Sequence, residues 1–405
     1  MIFVIFDDEK RSNFFPITLT RSTGDLRVGI LKLRQRISYY FELSETNIIV
    51  SAELEAIYKE RHSEWKINEL STDVTIFINS RLKIDENTKN LILALQLNES
   101  IVNGDTVLAA KCTPKANEIN AENLTDLFSN LKKNENKDLK CWEFLWELIE
   151  ENSGYIKRDF NEVFYDKDNY FETELGTTVI NPYNVWIGEG TSIKPGVVID
   201  ATEGPVVLDE SVTIMANAVI IGPAYIGKGS TIKVGAKIYE GTSIGPDCKI
   251  GGEVEETIFQ GYSNKQHDGF LGHSYLGEWI NLGADTNNSD LRNDYLPIPL
   301  YFYPKQKKVD TGCQFVGAVI GDHSKTGINC TINTGTVIGV GCNVVGSDMI
   351  INHVPSFRWG FMKTLVEQEF EKFCKIAEAV KRRRKLEFTQ AERDLYSMIS
   401  EQISN

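Results

Sequence analysis

Leu208, Ile214, Ile220, Ile226, Ile232, Ile238, Ile244 and Ile250 return every six residues, and small or turn-forming residues fill the intervals, as in Ile226-Gly227-Lys228-Gly229-Ser230-Thr231. That period fits neither the 3.6 residues of a helix turn nor the alternation of a half-buried strand. It demands a backbone that repeats a short strand and a corner, so that the aliphatics stack as successive coils pile up. The reading is a parallel β-helix. With 41% apolar residues in the whole chain, an uninterrupted in-register run of this length is not a product of composition.

The column extends back to Ile187, Ile193 and Ile199, shows at Leu276 and Leu282, and resumes at Ile320, Thr326, Ile332, Ile338, Val344 and Ile350. Three hexads per coil give a triangular prism over about residues 180–352, interrupted by an insertion near 287–312, whose stretch Asn293–Lys308, rich in Tyr and Pro, is expected to lie as a loop over the cleft. A stacked column stiffens a scaffold and carries no chemistry of its own. Function has to come from residues that break the pattern.

A chain of 405 residues is expected to form two or three domains. The net charge of −14, with no basic concentration on the prism, disfavours a nucleic-acid partner. Seven cysteines without CxxC or Cys/His ligand spacing read as reduced thiols. Nothing approaches the roughly 20 apolar residues of a membrane span, and Met1–Asp8 lacks the pattern of a signal peptide. A soluble, cytoplasmic protein with no membrane partner is the expectation.

Ahead of the prism, strands at Ile2–Phe6, Ile48–Val50, Val74–Ile78 and Thr106–Ala109 alternate with helices around Leu54–Glu60 and 86–96. That alternation predicts an α/β sandwich with a mainly parallel sheet and ligands at the carboxyl ends of its strands. The loop after the first strand contains Pro16-Ile17-Thr18-Leu19-Thr20-Arg21. It resembles the loop of sugar-phosphate nucleotidyltransferases, which implies that Arg11, Arg21, Asp25 and Arg27 bind the phosphates of a nucleotide such as UTP, with Mg²⁺ alongside. The glycine-rich turn of that family is here Asp7-Asp8-Glu9-Lys10-Arg11, and its metal-binding Asp is replaced by Arg81. Asp105 and Asp159 are the substitutes in view, so the metal ligands stay unknown.

Between Ile250 and Asn293 the column gives way to a different pattern. His267, Leu271-Gly272, Leu276-Gly277 and Asn281-Leu282-Gly283-Ala284-x-Thr286 fall without a gap on the segment of the acetyltransferase half of the bifunctional enzymes that make UDP-N-acetylglucosamine. The resemblance implies a left-handed β-helix and makes His267 the general base toward a sugar amine that attacks acetyl-CoA. An imidazole suits the role because it titrates near neutral pH. Lys233, Lys265, Phe270, Asn281 and Arg292 are then expected at the sugar phosphate, with Lys308 a further candidate. Ala284, His323 and Lys325 are expected at the coenzyme, and His273 on the surface. Such prisms are expected to act as homotrimers with sites between subunits.

The fold expected is therefore α/β plus β: a Rossmann-like nucleotidyltransferase sandwich (1–165), a left-handed β-helix of hexapeptide repeats (166–355) and C-terminal helices (356–405) over the open end of the prism. As a whole the chain resembles the alternate bacterial form of the UDP-N-acetylglucosamine diphosphorylase/glucosamine-1-phosphate N-acetyltransferases. That resemblance implies acetyl transfer to glucosamine 1-phosphate and uridylyl transfer from UTP. The alternatives are a nucleotidyltransferase of other specificity such as a glucose-1-phosphate thymidylyltransferase, an acetyltransferase with an inactive N-terminal domain, and a sugar-nucleotide sensor.

Overall fold

The computed structural model describes residues 2–114, 119–170, 173 and 175–404. Seven strands form the N-terminal sheet: β1 (Ile2–Phe6), β2 (Asn47–Ile49), β3 (Lys66–Ile67), β4 (Thr75–Asn79), β5 (Glu99–Asn103), β6 (Thr106–Cys112) and β7 (Lys132–Glu135). Their spatial order is 3-2-1-4-6-5-7. β1 pairs in parallel with β2 and β4, while β6 runs antiparallel to β4 and β5. Apolar runs such as Phe3–Phe6 and Ile76–Ile78 fill the central strands because both faces of the sheet are covered. Helices α1 (Leu33–Tyr40), α2 (Ala52–Arg61) and α3 (Glu86–Leu93) complete the layers.

The prism has three parallel faces of nine, six and five strands. Ile193, Ile214, Ile232 and Ile250 stack in the five-strand face, and Ile187, Leu208, Ile226 and Ile244 in the nine-strand face, all buried. Past Ile250 the next coil is shorter, so that Phe259 pairs with Ile244 and Lys265 with Ile250. A lysine thereby takes a core position.

The two parts share one core. Phe14, Ile17, Leu26, Val28, Trp142 and Trp146 pack on Ile258, Tyr275, Val319 and Val337 of the nine-strand face. The loop after β1 is stitched to the prism. Tyr275 Oη accepts from Arg27 N at 2.9 Å and donates to Arg27 O at 3.0 Å, and Ser243 Oγ donates to Gly29 O at 2.8 Å.

Two expectations change. The insertion is not a loop over a cleft. It forms an antiparallel hairpin, Pro299–Phe302 with Lys307–Asp310, and Phe302 packs against Phe144 and Trp146 of the N-terminal part. Nor do the C-terminal helices close the prism end. A hairpin of Arg358–Phe361 and Val366–Glu367 stands there, with Met362 and Leu365 against the prism core. Helices α4 (Phe370–Arg382) and α5 (Gln390–Ser404) instead pack with Ile57 and Tyr58 of α2 and with Val340 and Phe357. Among the described residues no helix is long and apolar enough to cross a membrane.

Candidate functional site

The corner of the prism between the five- and six-strand faces carries the sequence-predicted acetyltransfer residues. His267 follows the strand Asn264–Lys265 and precedes Phe270–Gly272, and its side chain is exposed. Ala284 occupies the equivalent place one coil on, since Asp285 N donates to Asp268 O at 3.1 Å. Lys233 lies on the same corner, two coils back, its N–H given to Ile250 O at 2.8 Å and that of Gly251 to Lys265 O at 2.6 Å. Phe270 begins the adjoining face, half-buried, with its N–H given to Asn287 Oδ1 at 2.8 Å. Asn281 bridges Asn264 and Lys325 on the five-strand face.

Lys265 does something other than expected. It is 1% exposed in the aliphatic column, and its ammonium donates to Gly251 O at 3.0 Å and His267 O at 3.2 Å. No substrate reaches it there. It clamps the turn that presents His267, and burial pulls its ammonium down to about 8.

His323 and Lys325 are corrected as coenzyme contacts. His323 is 2% exposed, with Trp279, Phe373 and Tyr396 around its ring and neither ring nitrogen hydrogen-bonded. Burial, then Lys325 and Lys381, hold it well below the usual imidazole range. Lys325 donates to His323 O at 2.8 Å. Arg292 is paired with Asp294 in the wall of a ≈ 380 Å³ cavity beside the insertion, which Lys308 also lines. His273 is half-buried rather than on the surface, its Nδ1 2.9 Å from Asp290 Oδ2 and its ring stacked on Phe315. The signal was available, because the two residues are 17 apart, about one coil.

The charged residues after β1 also depart from expectation. Arg11 pairs with Glu53 and donates to Thr18 O. Arg27 donates to Ile30 O and lies over the Tyr225 ring. Arg21 is bonded to Asp322 at 2.5 Å, across the junction with the prism. Asp25 accepts from Lys32 at 3.0 Å, Arg34 at 2.8 Å and Tyr58, and those partners hold its carboxyl well below the carboxylate range although burial opposes them. All four are buried because the loop is an interface. Arg11 and Arg27 are thereby removed from phosphate binding, whereas Arg21 and Asp25 still line a cavity.

A divalent cation does not fit the residues at the carboxyl ends of β1 and β4. Asp8 Oδ1 takes Arg81 Nε at 2.8 Å and Lys10 N at 3.2 Å, and its Oδ2 takes Arg81 Nη2 and Asn79 Nδ2. Arg81 is fully buried and stands where a metal-binding carboxylate was sought. Asp159 is engaged by Arg36 and the N–H groups of Ile30 and Leu31, and Asp105 is exposed. Among the described residues no three His, Cys, Asp or Glu side chains come together to hold a metal ion.

Residues 3–167 match the family model described as sugar nucleotidyl transferase. The bifunctional protein GlmU of Methanococcus aeolicus is 30% identical over 237 residues, covering 57% of this chain and 50% of that one. The bifunctional sugar-1-phosphate nucleotidylyltransferase/acetyltransferase of Sulfurisphaera tokodaii is 38% identical over 93 residues, covering 22% and 23%. The chain thus spans half or less of the length of these curated relatives. Among solved structures, the UDP-N-acetylglucosamine acyltransferase of Francisella novicida is similar over 57% of this chain and 87% of that one, at 15% identity and a TM-score of 0.32, too loose a superposition to carry weight. Residues 3–167 are thus similar to the sugar nucleotidyl transferase family, and part of the chain is similar to part of the bifunctional GlmU proteins.

Proposed function

We propose that the protein is a bifunctional sugar-phosphate transferase: an acetyltransferase from acetyl-CoA to glucosamine 1-phosphate on the prism, and a uridylyltransferase from UTP to N-acetylglucosamine 1-phosphate in the N-terminal domain. The observation that supports the first activity is the alignment of Lys233, His267 and Ala284 along one corner of the prism over successive coils, with the His267 turn clamped from inside by Lys265. His267 takes a proton from the sugar amine as its nitrogen attacks the thioester carbonyl, and returns it to the departing sulfur. The C–N bond forms, the C–S bond breaks, and the sulfur leaves as the coenzyme A thiol. Lys233 meets the sugar phosphate as a point charge. The backbone at Ala284 faces the acyl carbonyl.

The corner is open in a single chain, which supports a homotrimer whose neighbouring prism supplies the other wall. Light scattering on the purified protein is expected to give three times the monomer mass. Cytoplasmic location belongs to the same proposal.

The Asp8–Arg81 pair favours a second reading, in which the N-terminal domain transfers no nucleotide. The two separate in parallel assays: thiol release from acetyl-CoA with glucosamine 1-phosphate, and pyrophosphate release from UTP with N-acetylglucosamine 1-phosphate. The bifunctional reading predicts both, with His267→Ala abolishing only the first. Thiol release without pyrophosphate release establishes the second reading.

A further inference from the structure

The prism corner between the nine- and five-strand faces carries a residue with left-handed backbone in coil after coil: Gly190, Ser211, Gly229, Asp247, then Tyr262, Trp279 and His323, then Gly341. Glycine and aspartate suit that conformation. Tyrosine and tryptophan adopt it rarely. The three rings stack along the corner, Tyr262 on Trp279 at 4.5 Å and 12°, and Trp279 on His323 at 5.9 Å and 14°. Phe357 continues the corner one coil past Gly341 with the same left-handed backbone, buried in the core, so it is the surface the Tyr262 and Trp279 rings offer, not their backbone, that sets this stretch apart.

The upper rings face a cavity of ≈ 380 Å³ where the β1 loop, α2, the prism and the C-terminal helices meet. Its cations are Arg21, Lys32, Arg61 and Lys381. Their carboxylate partners are already matched: Asp25 with Lys32 and Arg34, Glu392 with Arg61 at 2.8 Å and with Lys381, and Asp322 and Glu278 with Arg21 at 2.5 and 3.5 Å. On the lining itself four cations face three carboxylates, Asp25, Glu278 and Glu392. Arg21 is 3% exposed, and its Nη1 is buried with no hydrogen-bond partner. A buried guanidinium nitrogen left unpaired is costly unless a ligand completes it. Lys381 also stands over the Trp279 ring at 5.7 Å. Surplus positive charge, an unpaired guanidinium donor and a stacked aromatic wall are the complement of a phosphate ester carried on a ring.

We propose that this junction cavity binds a phosphorylated sugar, free or as the sugar end of a nucleotide, with the phosphate on Arg21, Arg61 and Lys381 and the ring against Tyr262 and Trp279. It opens at a different prism corner from His267, and it draws on the C-terminal helices, which acetyl transfer does not need. Occupancy ties α4 and α5 to the prism and to α2 at once.

The test is calorimetric titration and tryptophan fluorescence of the full chain with glucosamine 1-phosphate, with UDP-N-acetylglucosamine and with inorganic phosphate, on the wild type and on Arg61→Gln, Trp279→Phe and His267→Ala. Arg61 lies at the rim and bonds only Glu392 among these groups, so its removal leaves the fold in place, which a thermal melt checks. Saturable binding of either sugar probe, weakened about tenfold by Arg61→Gln, reduced by Trp279→Phe and untouched by His267→Ala, is the expected result; which sugar probe binds identifies the source. Absence of saturable binding by both sugar probes overturns the proposal, as do equal binding of inorganic phosphate and an Arg61→Gln affinity equal to wild type. Thiol release that survives such a result leaves the acetyltransferase reading standing, so the two fail separately.

Discussion

At the scale of single residues, two buried charges give the molecule a pH signature. Burial lifts the Asp7 carboxyl to about 6 against hydrogen bonds from Ser80 and Ser22. The folded chain therefore holds this proton more tightly than the unfolded one, whose carboxyl titrates at 3.8. The stabilisation is fully present below pH 3.8 and is lost as pH rises through about 6. Asp7→Asn, which keeps an acceptor for Ser22, Ser80 and Thr23 N, is predicted to remove that slope, on the order of 3 kcal/mol, from denaturation midpoints across the window. Lys265 runs the other way. Its pKa falls from 10.5 to about 8 on folding, so the unfolded chain binds the proton more tightly and stability rises between those values. Lys265→Met should abolish that rise and leave the fold at least as stable at neutral pH. Thiol release should nevertheless fall, because the clamp on the His267 carbonyl is gone. A Lys265→Met variant with unchanged thiol release would show that the clamp has no catalytic consequence. Both groups were visible in the sequence, but their environments were not. Lys265 read as a contact to the sugar phosphate because the six-residue register slips after Ile250, and only the pairing of Lys265 with Ile250 shows it inside.

At the scale of elements, legibility followed how strongly each segment's pattern departs from chance. The hexapeptide column and β1, β2 and β4 were readable because their apolar positions are continuous or strictly periodic. β7, Lys-Lys-Asn-Glu, has no apolar residue and holds its place by pairing with β5 at the sheet edge, so no sequence signal marks it. Met362 and Leu365 mimic a helical period with Phe370 and Phe373, yet they cap the prism from a hairpin and the helix begins only at Phe370. The insertion hairpin was legible as an interruption but not as a brace. Phe302, 7% exposed against Phe144 and Trp146, ties the prism to the N-terminal part. Phe302→Ala is predicted to destabilise the protein by about 3–5 kcal/mol, read from urea denaturation. A change below 1 kcal/mol, within the range of surface substitutions, would mean that the hairpin is a passenger.

For the whole molecule, the governing fact is that the N-terminal domain, the prism and the C-terminal helices are packed on one another through the loop after β1. That loop carries the arginines that sequence reading gave to a nucleotide, and long-range partners such as Asp322 for Arg21 cannot be inferred from neighbours in the chain. The same packing leaves His267 pointing outward at a corner of the prism. The most direct test of acetyl transfer at that corner is thiol release from acetyl-CoA with glucosamine 1-phosphate, comparing wild type, His267→Ala and His273→Ala. A loss of about 10²–10⁴-fold confined to His267→Ala, in a protein with unchanged melting behaviour, is the predicted result. Full activity in His267→Ala, or its loss only in His273→Ala, where Asp290 orients the ring, would contradict the account.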